Sequence, residues 1–349
     1  MDTISITTKR IIPIEFFITS PLKWTLIKNK NNKIIAFLDI YNIHIEYFEE
    51  HSTLKMRFSA TKLIYGTNCK TFDFKDLNIM FSFLRNVIKS IFNFPLQDVT
   101  EWNITRLDLV TNIYFKNIKD KKIFIELLKK LTYSRCKKDL YSSSIHAHNK
   151  SNTFNLYDKN EEIQNNSDDK SSYDFNIPNT LRLEIQFKNS ALYRISKKYC
   201  VPKTLGVFMS SPSFLNKIYK DTLRKIGLDK KFLTEKEMSK LLKKLYKNKE
   251  ISKRTFDNMY NYFINKSINI SKNTLLNYKK ILSNYNCSHI LLDRKVNKKI
   301  NFMALLLFKA TNIFLSFKKK FKNLHWVLIN IILYLIINFK TVIKIYDDS

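Results

Sequence analysis

The run Trp102 to Phe115, WNITRLDLVTNIYF, restricts what this chain can become more than any other stretch. Ile104, Leu107, Leu109, Val110, Ile113 and Phe115 are apolar and largely β-branched or aromatic, which fits a strand buried in a sheet. Asp108 and Asn112 stand among them. A buried carboxylate without a partner costs roughly several kcal/mol, so Asp108 requires a cation, a cluster of donors or a metal. Arg106, two residues earlier, shares its face and offers an ion pair within the sheet. The puzzle repeats in LRLEIQF, Leu181 to Phe187, where Glu184 interrupts an apolar strand with Arg182 beside it. If both acids open into one cleft, their repulsion demands a cation, and Mg²⁺ or Mn²⁺ with oxygen-rich ligation is the expected cofactor.

The surrounding pattern indicates what holds these strands. LKWTLIKN, KIIAFLDI, IHIEYFEE and TLKMRFSA read as antiparallel strands over residues 22–60, with turns near Asn31-Asn32 and His51-Ser52. Gly66, one of three glycines, marks a tight turn. Asp76 is placed to cap a helix carrying Leu77, Met80, Phe81, Leu84, Val87 and Ile88, and Ile118 to Leu131 reads as a second amphipathic helix. Strands return over Leu140 to His148, Thr153 to Tyr157 and Leu181 to Phe187, the last after a polar loop over 161–180 that has the composition of a disordered segment. An α+β catalytic domain, mainly antiparallel sheet with packed helices, is therefore expected over residues 1–200.

Residues 201–292 turn helical. Thr234 with Glu237 forms a capping box, and Ser252 and Ser271 open two further short helices with Lys-rich outer faces. The third is similar to the reading helix of a helix-turn-helix, which makes Lys272, Asn273, Thr274 and Lys279 candidates for DNA contact. Residues 293–349 read as a basic and hydrophobic helical tail. Its apolar run Leu324 to Phe339 is 16 residues long, short of the ~20 that a bilayer span needs. A packed or dimerising helix and a membrane anchor within 324–343 both stay open.

Charge narrows the partner. Lys plus Arg outnumber Asp plus Glu by 61 to 30, a net +31 spread along the chain. An AT-rich coding bias explains Lys in place of Arg but not the shortage of acids, so a polyanion is expected. Cys69, Cys136, Cys200 and Cys287 form no CxxC pair, which fits a reducing cytosol rather than a disulfide framework or zinc site. The opening MDTISITTKR lacks an apolar core segment, so secretion is not expected. No phosphate-binding loop or dinucleotide fingerprint occurs.

Two features add chemistry. His146 and His148 are two apart on an expected strand, so both imidazoles face one side and, with a carboxylate opposite, fit a divalent metal. Tyr157 is a poor nucleophile at neutral pH unless a base or cation favours its phenolate, and Lys159, expected on the same strand face, is placed to contribute.

Four segments, Ser59-x-x-Lys62-x-x-x-Gly66-x-Asn68, Arg106-x-Asp108-x-x-x-Asn112, Tyr157-Asp158-Lys159-x-x-Glu162 and Leu181-Arg182-x-Glu184, follow one another in the order and approximate spacing of the gene II type replication initiators of filamentous phages. The chain from about residue 20 to 290 resembles that family. The resemblance implies a rolling-circle initiator that nicks one strand of double-stranded replicative-form DNA at the origin. A tyrosine attacks the phosphodiester, keeps the 5′ phosphate, leaves a 3′ hydroxyl for the host polymerase and later rejoins the displaced single strand. By the same resemblance Asp108 and Glu184 are acidic metal ligands, Glu162 ligates or orients, Tyr157 is the nucleophile, Lys159 is its electrostatic helper, and Lys62, Asn68 and Arg106 meet DNA. In the broader group of His-hydrophobic-His nickases the tyrosine lies on a later helix, which makes Tyr193, with Lys197 four positions on, a rival. A host helicase is a further implied partner, and the host cytoplasm the implied location. The alternative is a non-catalytic, sequence-specific DNA-binding regulator of a phage or mobile element.

Overall fold

Alternating apolar and polar side chains on successive strands produce one sheet with two unlike faces. The computed structural model describes residues 2–115, 117–131, 133, 135–165 and 179–292. In chain order the elements are β1 (Thr3–Lys9), α1 (Ile14–Thr19), β2 (Thr25–Lys28), β3 (Ile34–Ile40), β4 (Ile43–Phe48), β5 (Thr53–Ser59), α2 (Ala60–Tyr65), α3 (Leu77–Ile91), β6 (Asn103–Tyr114) and α4 (Ile118–Lys129). They continue with β7 (Lys137–Leu140), β8 (Ser144–His148), β9 (Asn152–Asp158), α5 (Lys159–Asn165), β10 (Thr180–Lys188), α6 (Asn189–Tyr199), α7 (Leu205–Met209) and α8 (Pro212–Lys225). Last come β11 (Lys231–Thr234), α9 (Glu235–Lys247), α10 (Lys253–Tyr260), α11 (Lys272–Asn284) and β12 (Cys287–Leu292).

Ten strands form one sheet in the order β2-β3-β4-β5-β1-β6-β10-β9-β8-β7, antiparallel throughout. With helices against it, the domain is α+β. The apolar face collects Ile45, Met56, Ile6, Ile104, Leu107, Leu109, Leu183, Ile185, Leu156 and Ile145, all buried. Ile104 and Leu107 are an odd number of residues apart, yet both reach this face. A bulge allows it: Ser5 pairs with Arg106 and Ile6 with Ile104, leaving Thr105 as the extra residue. That one-residue slip turns Arg106, Asp108 and Asn112 together onto the opposite, polar face.

Several expectations need correction. β1 was not among the expected strands, because a short Ser/Thr-rich run at the chain's start carries little apolar signal; it pairs with both β5 and β6 at the middle of the sheet. Residues 140–148 are not one strand: β7 and β8 form a hairpin around 141–143. The start of the expected polar loop, Glu161 to Asn165, is helical as part of α5. Asp76 precedes α3 but makes no side-chain cap; its carboxylate instead accepts the Tyr65 hydroxyl at 2.5 Å.

Side-chain caps do begin other helices. Ser59, Thr234, Ser252 and Ser271 each accept a backbone N–H in the first turn, and Thr234 with Glu237 completes the reciprocal box, each cap contributing about 1 kcal/mol. Across the boundary expected near residue 200 the chain stays on the sheet. Ile104 N–H donates to the Lys203 carbonyl, and Leu205 N–H to that of Trp102. Beyond α8, Met238, Leu242, Met259, Phe263, Tyr278 and Leu282 from α9, the α10 segment and α11 share a small core with Leu233 and Cys287 of a parallel β11–β12 pair. The tail, with its 324–343 run, lies outside the described residues, and no described helix is long and apolar enough to cross a membrane.

Candidate active site

The four sequence segments converge on the polar face. Ser59 caps α2 by accepting from Lys62 N–H, and Gly66 ends the helix at φ +69°, a left-handed conformation that L side chains rarely adopt. The turn sends the next residues across the sheet. The Asn68 carbonyl accepts from Arg182 Nη2, its side-chain oxygen accepts from Lys159 Nζ at 3.1 Å, and the Cys69 carbonyl accepts from Asn112 Nδ2 at 3.3 Å. Arg182 Nε donates in turn to Asn112 Oδ1 at 3.0 Å. Arg182, Lys159 and Asn112 are all buried at 3% exposure or less, so each hydrogen bond here offsets a real desolvation cost.

Register places the acids on this face. On β10, Gln186 lies opposite Asp108, Glu184 opposite Val110 and Arg182 opposite Asn112. On the other side of β10, Arg182 faces Tyr157 and Glu184 faces Asn155. Tyr157 and Glu184 are thus diagonal neighbours, within reach of one another's charge. Arg106 grips Asp108 with Nε at 3.0 and 3.1 Å and Nη2 at 2.5 Å, the ion pair anticipated from the RLD tripeptide. Burial nevertheless holds the Asp108 carboxyl above its ordinary value. Glu184 is pushed up to about 7, first by burial and then by the carboxylates of Asp108 and Asp2, against the pull of Arg106 and Arg182. Burial also raises the Tyr157 phenol; the Arg182 guanidinium beside it works in the opposite direction.

The remaining candidates separate. Lys159 directs its ammonium to Asn68 and Glu162, so the cation acting on Tyr157 is Arg182. Asp158, between them, pairs with buried Lys121 of α4 at 2.5 Å. His146 Nδ1 lies 2.6 Å from Asn155 Oδ1, and Asn155 Nδ2 donates to Glu184 at 3.4 Å, a relay from the histidine to the acid. His148 turns toward Asp139, 3.8 Å away. The five expected ligands Asp108, Glu184, Glu162, His146 and His148 therefore do not close on one point. Among the described residues no three His, Cys, Asp or Glu side chains are grouped to hold a metal. Among the same residues Glu184 is the acid of this cluster left without an ion pair of its own, since Arg106 holds Asp108 and Arg182 lies 4.0 Å from Asp2.

Tyr193 projects from α6 at 51% exposure, with the Lys197 ammonium 4.8 Å from its ring centre, the pairing that i,i+4 spacing implies. Beside Arg106 an open groove of about 410 Å³ is lined by Asp39, His44, Arg57, Ser59 and Lys62, with Asp39 turned to His44 at 2.7 Å. Among the described residues no carboxylate pairs with Arg57 or Lys62. On α11, Lys272 and Asn273 are exposed, Thr274 is engaged with the Ser271 cap at 2.9 Å, and Lys279 is half-buried two turns further on.

Sequence reasoning missed Asp2, Arg57 and Asn155. Asp2 precedes the unread β1, yet its carboxylate accepts the Ser59 hydroxyl at 2.6 Å and bears on Glu184. Asn155 and Arg57 had one available signal, a polar residue flanked by apolar ones at period two.

Comparison with known proteins adds three findings. A family model describing the N-terminal region of the phage replication-associated protein, the gene II protein, matches residues 28–203. A solved structure of a rolling circle replication initiator protein from Geobacillus stearothermophilus is similar at 14% identity and a TM-score of 0.31, over 56% of this chain and 76% of that one. No curated protein matches the sequence.

Proposed function

This chain belongs to the family of phage replication-associated proteins defined by the N-terminal region of the gene II protein, and on that footing we propose that it initiates rolling-circle replication by nicking and rejoining DNA. The observation that carries the reading is the register that sets Tyr157 opposite Arg182 with Glu184 and Asp108 on the same face. The phenol proton passes to water, and Arg182 stabilises the phenolate that remains. Tyr157 Oη attacks phosphorus, the P–O3′ bond breaks, and the freed 3′ oxygen takes up a proton. The 5′ end is then held as a phosphotyrosine ester until a 3′ hydroxyl attacks it, rejoins the strand and returns the tyrosine. Arg57 and Lys62 in the adjoining groove neutralise flanking phosphates.

Asp108 and Glu184 would hold the divalent cation, Mg²⁺ or Mn²⁺, which when bound supplies positive charge against the charge developing on the phosphate. The 3′ hydroxyl suits a host polymerase with a helicase ahead of it, in the host cytoplasm. The 324–343 run would account for any membrane association.

The test is to incubate the full-length protein and Mg²⁺ with supercoiled DNA bearing its origin. Open circles with protein on a 5′ end are expected; Tyr157→Phe abolishes them and Tyr193→Phe does not. The reverse pattern transfers the nucleophile to α6. Retention of DNA with no open circles favours the regulator reading, which the two-pronged hold of Arg106 on Asp108 supports.

A further inference from the structure

A second concentration of positive charge lies away from the acids and shares no residue with them. α8 ends in a Schellman turn: Leu228 N–H donates to the Leu223 carbonyl and Gly227 N–H to that of Arg224, with Gly227 at φ +79°. The chain then doubles back, bringing Lys230 against α11, where its ammonium donates to Ser283 Oγ at 3.0 Å. β12 enters beside them and contributes His289. Together they line a recess of about 170 Å³ whose walls, among the described residues, include Arg224, Lys225, Lys230, Lys279 and His289 and no carboxylate.

Arg224 and Lys225 have a local explanation, since cations suit the C-terminal end of α8, and Arg224 also lies 3.4 Å from Asp221. Lys230, Lys279 and His289 have none. On the adjoining side, where Lys279 and His289 line a second cavity with Lys130, Lys266 and Glu235, the one acid among the described lining residues pairs with Lys266 at 3.0 Å. Like charges crowded in a half-buried recess repel one another, and a bound anion relieves that repulsion. The strain registers on the groups themselves. Burial and Lys230 hold the Lys279 ammonium below its ordinary value, and burial, Lys279 and Lys230 lower His289 to about 4.

We propose that the recess formed by Lys230, Lys279 and His289 binds a phosphate group, with a backbone phosphate of DNA as the source. It adds an anchor outside the nicking site and does not depend on the chemistry assigned to Tyr157. A bound phosphate brings negative charge beside the imidazole, so His289 reports occupancy through its own titration.

The experiment uses full-length protein labelled with ¹⁵N on its six histidines, the His289 signal being identified by its loss in His289→Gln. Inorganic phosphate is expected to raise the His289 midpoint by one pH unit or more relative to chloride at equal ionic strength. A short duplex is expected to do the same. In Lys230→Ala/Lys279→Ala the midpoint starts higher and no longer responds to phosphate; should that variant not fold, Lys230→Gln gives the same reading alone. An unmoved midpoint with phosphate overturns the site. A response to phosphate but not to duplex keeps the site and overturns DNA as its source. Open-circle formation by the wild type is read separately, so failure here leaves the nicking proposal intact.

Discussion

Replacing Glu184 by Gln should stabilise the protein while removing its activity. The carboxyl is held at about 7 instead of 4.5 because burial and the neighbouring Asp108 and Asp2 disfavour its charge. A tenfold change in proton affinity is about 1.4 kcal/mol, so ionising Glu184 in the fold costs about 3 kcal/mol at most. Glutamine keeps the oxygen that accepts from Asn155 and removes the charge. The folded state binds the proton more tightly than the unfolded chain. Wild-type stability therefore falls as pH rises from 4.5 to about 7, and the variant escapes that fall. Its advantage is expected to be near zero at low pH, to grow through this window and to level at about 1–3 kcal/mol above it. Urea unfolding of both proteins across the range measures it. Mg²⁺ should narrow the gap by stabilising the wild type alone. A variant no more stable than wild type above neutrality would falsify the claim that burial and the neighbouring carboxylates disfavour the charge of Glu184.

Other consequences are open to simpler measurements. Arg182→Leu leaves Asn112 and the Asn68 carbonyl without a donor and removes a buried cation, so a loss of about 3 kcal/mol is expected in chemical unfolding; a loss within error would mean that water replaces the guanidinium. Gly66→Ala should cost about 1 kcal/mol from backbone strain alone, because a Cβ there meets nothing within 4 Å; a much larger loss would point to a contact formed by Asn68 rather than to the turn. Asp108→Asn is expected to abolish nicking with DNA retention preserved, and a fully active variant removes Asp108 from the mechanism. DNA affinity should fall steeply with salt, each phosphate neutralised adding about 0.9 to the logarithmic slope, while a flat dependence in a filter or anisotropy assay contradicts binding through the backbone.

Local pattern alone decided much of this protein. The alternation in WNITRLDLVTNIYF and LRLEIQF set two buried strands with an acid in each, and Thr234, Ser252 and Ser271 announced helices through hydrogen bonds confined to one turn. Such signals span few residues and survive any tertiary arrangement. The position of β1 between β5 and β6 could not be read, because strand order depends on pairings about fifty and one hundred residues away. Nor could the bulge at Thr105, which puts Arg106 and Asp108 on the polar face beside Tyr157. The exchange of partners, Arg182 for Tyr157 and Asn68 for Lys159, was likewise decided only in three dimensions. Long side chains choose among neighbours brought in by distant strands, and in a buried site the choice goes to whichever arrangement leaves the fewest charges and donors unpaired.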